Sequence, residues 1–270
     1  MSKTATTWQL MKSSWRVLMR DKALVLFPVI SGSACFLVLL TFLLPLLGIE
    51  AFGYLLLFCY YLCNFFVIYF FNAALVHFVV TRVNGGMPTL GGSLRAAAGR
   101  MPQIAAWSVI SATFGLILKV LESRVGWLAR IVIAVIGIAW ALVTYFVVPI
   151  IIIEGKGALE AVGDSKDLLA RTWGKQIVSG LGYGLIGFLL TAPAQLVIVF
   201  AIIGAIALRG EYVVLWALLA IAAVLYIVTV GIVLSALDAI FGVVLYLFAK
   251  TGNAPEGFAA ADLRGAIRPA

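Results

Sequence analysis

Charge is scarce in this sequence: only 11% of its 270 residues are Asp, Glu, Lys or Arg, whereas 64% are hydrophobic. A soluble domain typically has about 25% charged and about 45–50% apolar residues. Too little charge is present to cover a water-facing surface, so we expect lipid to solvate most of the chain. The positive charges that produce the net charge of +8 fall between the apolar runs. That placement favours membrane topology over nucleic-acid binding.

Histidine and cysteine are also rare. The single histidine, His77, excludes a histidine-rich metal site and is expected to form an interfacial hydrogen bond. Cys35, Cys59 and Cys63 lie inside apolar runs, where an odd number does not make a disulfide framework. Metalloprotease, hydrolase-elbow and phosphate-loop motifs are absent, as are paired carboxylates within one apolar run. We therefore expect no catalytic residue, no metal and no cofactor, and predict that the protein is not an enzyme.

Long uncharged runs, by contrast, are abundant. A hydrocarbon core about 30 Å thick needs roughly 20 helical residues. The sequence therefore predicts an all-α membrane protein with a single transmembrane domain over residues 1–270. Its six spans lie at roughly 23–48, 51–81, 102–119, 130–153, 176–208 and 212–249. The third is the shortest, and the sixth predicts one long helix because it is too short for two spans and a turn.

Orientation follows from the distribution of Lys and Arg. With the N-terminus inside, fifteen of the nineteen Lys and Arg residues lie in cytoplasmic segments. The four that remain outside are Lys119, Arg124, Arg130 and Arg209. The positive-inside rule thus predicts a multi-pass protein of the cell membrane with both termini in the cytoplasm.

Three short amphipathic stretches precede the odd-numbered spans: SWRVLMR (14–20), SLRAAAGR (93–100) and SKDLLAR (165–171). Each opens with Ser, which suits a helix N-cap, and such stretches lie in the headgroup region. Glycine follows each even-numbered span in VNGG, EGKG and TGN, which suits helix C-caps. The pattern predicts three parallel hairpins in repeat units 1–83, 84–154 and 155–250, each preceded by a cytoplasmic interfacial helix. Independent anchoring helices without duplication are the alternative.

Two segments carry a resemblance to known sequences: VVPIIIIEGKGALEAVGDSKDLLARTWGK (147–175) and DAIFGVVLYLFAKTG (238–252). With the Gly-rich span between them, they resemble a family of uncharacterised prokaryotic multi-span membrane proteins, a domain of unknown function. The resemblance implies a polytopic fold and brings no activity, cofactor or catalytic residue with it.

Asp238 is the residue most in need of explanation. It lies twelve residues before Lys250, about 18 Å inside the boundary, where a carboxylate costs about 2.5–3.5 kcal/mol on insertion scales. Ser235 is expected on the same face, in a small polar stripe with Gly231 and Gly242. Two interpretations compete. In one, Asp238 lines a polar cavity and binds a cation, a proton or a substrate amine. In the other, it is protonated or hydrogen-bonded to a neighbouring helix and holds the bundle together.

Two further polar residues lie at a matching depth. Asn72 precedes Arg82 by ten residues, and Thr144 precedes Glu154 by ten. If the even-numbered spans face a common axis, the side chains of Asn72, Thr144 and Asp238 converge there, and these residues with Ser235 form the candidate binding site. Pro193, within TAPAQ, is the proline expected to make a functional break.

Two functions fit these observations. The first is a non-catalytic membrane scaffold, sensor or organiser of lipids or partners, which the missing catalytic motifs and the interfacial helices favour. The second is a transporter or channel for a small solute, ion or lipid, which the parallel repeats and midplane polar residues favour. The expected partners are the lipid bilayer, a small solute or lipid, and a protein docked on the cytoplasmic face. A cavity that reaches Asp238 would distinguish the two functions.

Overall fold

The computed structural model describes residues 3–48, 53–173, 182–207, 212–255, 257–260 and 263. Every regular element in these ranges is helical. The helices are α1 Lys3–Arg20, α2 Leu26–Gly48, α3 Gly53–Val83, α4 Leu90–Ala98, α5 Met101–Ser123, α6 Trp127–Val143, α7 Val147–Glu154, α8 Ala158–Trp173, α9 Gly182–Ala207 and α10 Val213–Thr251, with a 3-10 turn at Lys22–Val25 between α1 and α2.

Six helical stretches are long and apolar enough to cross a membrane, as the sequence predicts. They are Lys22–Leu43, Gly53–Val83, Met101–Ser123, Trp127–Glu154, Gly187–Ala207 and Val213–Thr251. The third stretch is longer than the expected 102–119, because its helix continues past the ion pair of Lys119 with Glu122 (3.3 Å). At 23 residues it reaches about 35 Å and needs no thinning of the bilayer.

The fourth stretch is broken in its middle. The sequence points to Pro193 as the functional break, but α9 continues through Pro193. The break falls instead at Thr144–Phe146, between α6 and α7. Pro149 explains its position, because proline lacks an N–H and its ring clashes with the carbonyl four residues earlier, that of Tyr145.

Ser165, on α8, pairs the backbone groups that this break frees. Its hydroxyl donates to the carbonyl oxygen of Val143 (2.6 Å) and accepts from the backbone N–H of Phe146 (3.2 Å). Ser165 is fully buried. Unpaired backbone groups cost several kcal/mol each in hydrocarbon, so one side chain from a neighbouring helix makes the break tolerable.

The expectation that Ser14, Ser93 and Ser165 are N-caps is wrong. Each lies inside its helix and is buried, because each helix begins several residues earlier than the amphipathic pattern indicates. Thr89 is the N-cap of α4, and its hydroxyl accepts from the N–H of Gly92 (3.1 Å). The buried Ser93 instead contacts Nδ1 of His77 at 3.2 Å, so the histidine does form a hydrogen bond between helices.

Three helices near one end of the bundle pack against apolar helices in a regular order. Helix α4 packs on α3, α8 packs on α7, and α1 packs on α10. The three partner helices also end alike, each followed by glycine in the left-handed conformation: Gly85 (φ 82°), Gly155 (φ 72°) and Gly252 (φ 72°). The predicted glycine C-cap is therefore confirmed for α7 (Gly155) and α10 (Gly252), whereas Gly85 follows the end of α3 by two residues.

Buried side chains concentrate near that same end. In α10, the buried residues other than Ala223 all lie from Ala236 onward, whereas the first half packs mainly along α9. Helix α6 has no buried residue, but α7, which continues its span, buries Val147 to Ile151. The bundle is therefore densely packed at the end that contains α7 and the second half of α10, which we call the solid end. It is loosely packed beyond its middle.

Replacing Ser165 by Ala tests the repaired break. The substitution leaves the Val143 carbonyl and the Phe146 N–H without their partner, so we expect the free energy of unfolding to fall by about 1–3 kcal/mol. Circular dichroism of thermal unfolding in detergent measures the change. Ser123→Ala is the matched control, because the Ser123 hydroxyl is exposed and bonds only its own helix. Equal effects of the two substitutions would contradict the role of Ser165.

Candidate functional site

A pocket of about 390 Å³ lies at the level of the break in the fourth span. Its walls come from α3, α5, α6, α7 and α10. Val76, Val148 and Val243 line it on the side of the solid end. Ala141 lines the pocket and is also exposed, so the pocket opens at the surface of the bundle beside α6.

Asp238 borders this pocket from α10. Its side chain is partly buried, and its carboxylate oxygen Oδ1 accepts a hydrogen bond from the hydroxyl of Tyr145 (3.3 Å). Among the residues that the structure describes, no Lys, Arg or His forms an ion pair with Asp238. The carboxylate thus has a neutral donor beside it and no countercharge.

The three residues predicted to converge do so: Asn72, Thr144 and Asp238 all line the pocket. Thr144 donates its hydroxyl to the carbonyl of Trp140 (2.8 Å), which also accepts from the Thr144 N–H (3.0 Å). The depths counted from the boundary charges were therefore sufficient to place these side chains around one space. Whether they bind a ligand stays a prediction.

Ser235 does not join them. It is exposed, as is Gly231, and neither lines the pocket. The predicted polar stripe therefore divides: Asp238 and Gly242 line the pocket, whereas Ser235 and Gly231 are exposed and lie outside it. Ser235 lies three residues before Asp238, a spacing that turns its side chain about 60° away on an α-helix.

Gly242 permits the contact between Tyr145 and Asp238. A methyl group at position 242 would lie 3.0 Å from the Tyr145 hydroxyl oxygen and 3.4 Å from the ring carbon that bears it. A side chain at position 242 would therefore require the Tyr145 phenol to shift by a few tenths of an ångström away from α10.

Aromatic rings form much of the remaining wall, which the sequence analysis did not anticipate. Trp140 stacks on Phe114 with ring centroids 4.1 Å apart, and Trp107 lies 5.9 Å from Trp140. Tyr69 lies 5.7 Å from Trp107 and donates its hydroxyl to Ser111 (3.0 Å). The sequence does contain a signal that could have predicted this aromatic wall. Phe65 and Tyr69 are spaced to lie on one face of a helix, and so are Trp107 and Phe114.

A group of charges closes the solid end. Glu154 forms ion pairs with Lys250 and with Lys156 (3.3 Å), and it accepts a hydrogen bond from Tyr246. Lys156 also pairs with Asp164, and that hydrogen bond raises the pKa of Lys156. Together these side chains tie the ends of α7 and α10 to α8.

We find no candidate metal centre in the described part of the chain, where no three His, Cys, Asp or Glu residues lie close enough to hold an ion. Cys35, Cys59 and Cys63 are free and partly buried.

Fold and pocket together define the class: an all-α protein whose six long apolar helices indicate a multi-pass membrane protein. Within that class, the family described as "Family of unknown function (DUF6159)" matches residues 51–257, so the chain belongs to this family. The resemblance to an uncharacterised family is thereby confirmed, and the match includes both segments that carried it. No curated protein and no solved structure matches the chain.

A double-mutant cycle tests the contact between α7 and α10. Gly242→Ala forces the added methyl against the Tyr145 hydroxyl, whereas Tyr145→Phe removes that hydroxyl. We expect Gly242→Ala to be less destabilising in the Tyr145→Phe background, with a coupling of at least about 0.5 kcal/mol in thermal unfolding.

Gly231→Ala is the control on the same helix, since nothing lies within 4 Å of a methyl group there. It should stabilise the protein by up to about 1 kcal/mol through helix propensity and show no coupling to Tyr145→Phe. Additive effects of Gly242→Ala and Tyr145→Phe would show that the contact is absent.

Proposed function

We propose that this protein is a non-catalytic carrier of the cell membrane, which binds a small solute in the pocket at Asp238 and moves it across the bilayer. The observation that supports this function over a scaffold is the pocket itself, about 390 Å³ in volume and bordered by an intramembrane carboxylate. Ligand pockets have volumes of about 300–1,000 Å³. Ionisable residues inside a membrane commonly mark solute pathways.

The proposed topology has three parallel hairpins, α2–α3, α5 with α6 and α7, and α9–α10. Each follows a cytoplasmic interfacial helix, α1, α4 or α8, and both termini are cytoplasmic. The excess of Lys and Arg on that side supports the orientation. The solid end, with Glu154 and Lys250, is then the cytoplasmic one.

The packing order supports internal duplication. Helix α4 of the second repeat packs on α3 of the first, α8 of the third packs on α7 of the second, and α1 of the first packs on α10 of the third. In these contacts each repeat packs against the one before it, and the first packs against the third. A rotation axis along the membrane normal that relates three repeats produces such a closed set of contacts. Two of these contacts join helices that follow each other in the chain, so the contact of α1 with α10 is the one that supports the duplication most directly.

The pocket lies where the three proposed repeats meet. Asn72 comes from the first, Thr144 from the second and Asp238 from the third. Carriers built from repeats commonly bind their solute near the bilayer midplane between those repeats. In the proposed orientation, buried residues and the ion pairs of Glu154 lie between the pocket and the cytoplasm, and the carrier would be closed on that side.

Access to one pocket residue from each side of the membrane tests this function without knowledge of the solute. Ala239, which lines the pocket, is replaced by Cys in a variant whose native cysteines are Ala. A membrane-impermeant trimethylammonium methanethiosulfonate is then added to oriented vesicles from one side or the other. We expect modification of Ala239→Cys from both sides, because a carrier alternates its access.

Ser235→Cys is the matched control, since it lies one helical turn away on α10, about 6 Å along the helix axis, is exposed and does not line the pocket. It should react at least about tenfold more slowly than Ala239→Cys, because a lipid-facing thiol does not meet a charged reagent. Reaction of Ala239→Cys from one side only would indicate a receptor or sensor. Reaction from neither side would favour the scaffold.

A further inference from the structure

We infer that the pocket takes a small organic cation, with its ammonium group at Asp238 and its apolar body among the aromatic rings. This inference rests on the proposed function and specifies the class of solute. Asp238 and the rings of Trp140, Trp107, Phe114 and Tyr69 are the features that carry it.

The first argument is the missing countercharge. Asp238 lies at mid-membrane depth with only the Tyr145 hydroxyl as its hydrogen-bond donor, and the described residues provide no ion pair for it. An ionised carboxylate in an apolar environment is strongly unfavourable unless a cation or several donors pair with it. A cationic ligand supplies this partner, whereas an anionic ligand would be repelled.

The second argument is the composition of the wall. Aromatic faces attract cations through the ring quadrupole when the cation lies within about 6 Å of a ring centroid, and the attraction increases when water is excluded. Indole is the strongest of the natural rings, and two indoles, Trp107 and Trp140, line this pocket with ring centroids 5.9 Å apart. The same rings provide apolar contact for a hydrocarbon body.

The third argument excludes simpler cations. A metal ion with hard-ligand chemistry needs about six oxygen ligands, but the wall is mostly ring and methyl groups, and the Thr144 hydroxyl is already bonded to the Trp140 carbonyl. A proton needs no cavity of about 390 Å³. An ammonium ion that carries apolar substituents matches both the volume and the wall.

A matched set of probes tests the class of ligand. Phenyltrimethylammonium and tert-butylbenzene have nearly the same shape and differ in charge, and benzenesulfonate supplies the anion. Binding of each tritiated probe to the purified full-length protein in nanodiscs is measured by scintillation proximity against empty nanodiscs. We expect saturable binding in the order cation, neutral molecule, anion, with at least about tenfold between the first and the last.

Two substitutions separate the contribution of the Asp238 charge to binding affinity from that of the aromatic wall. Asp238→Asn should weaken binding of phenyltrimethylammonium at least about tenfold and leave tert-butylbenzene within about twofold. Trp140→Leu should weaken both probes, because it removes the central ring of the wall. Glu122→Gln and Trp127→Leu are the controls, since both side chains are outside the pocket, and they should change neither affinity.

The outcomes distinguish the two proposals. One outcome is that phenyltrimethylammonium and tert-butylbenzene both bind in a Trp140-dependent way with equal affinity, unchanged by Asp238→Asn. That result would support the binding pocket and show that the assignment of an organic cation is wrong. If no probe binds above empty nanodiscs, the assignment and the proposed binding pocket both fail. The order of affinities in the native protein decides the class even where Asp238→Asn does not fold.

Discussion

In a hydrocarbon environment every backbone polar group needs a partner inside the protein, and the fourth span meets this constraint with a side chain from another helix. Pro149 prevents an unbroken helix, and the Ser165 hydroxyl pairs the two groups that the break at Thr144–Phe146 frees. Without this pairing the Val143 carbonyl and the Phe146 N–H would lose their hydrogen bonds to Ser165, at a cost in stability. The arrangement therefore links α8 to the middle of the fourth apolar stretch.

The pocket follows from that break. Helix α7 remains in the solid end of the bundle, whereas α6 has no buried residue and leaves a space between itself, α5 and α10. The break also directs Tyr145 toward Asp238, where Gly242 makes room for the phenol. An apolar bundle with this space acquires one carboxylate, one amide and a wall of aromatic rings, and these are the elements of a binding site for a solute.

Counting residues from charged boundaries was sufficient to predict six spans, the long last helix and the shared depth of Asn72, Thr144 and Asp238, because helical rise is constant. Ser235 was misplaced because a three-residue step on a helix decides between the pocket and the outer surface. Tyr145, Trp140 and the role of Ser165 could not be predicted. All three depend on which of several prolines breaks its helix. The break before Pro149 is tolerated because Ser165, nineteen residues after Phe146, hydrogen-bonds to the Phe146 N–H.

Uptake into liposomes tests most directly the claim that Asp238 forms the solute site of a carrier. With an inside-negative potential, the account predicts saturable uptake of phenyltrimethylammonium by liposomes containing the native protein, above that of empty liposomes. Asp238→Asn should abolish this excess while its unfolding temperature in detergent stays close to that of the native protein. Equal uptake by native, Asp238→Asn and empty liposomes would contradict the account and leave the carboxyl as a contact that holds the helices together.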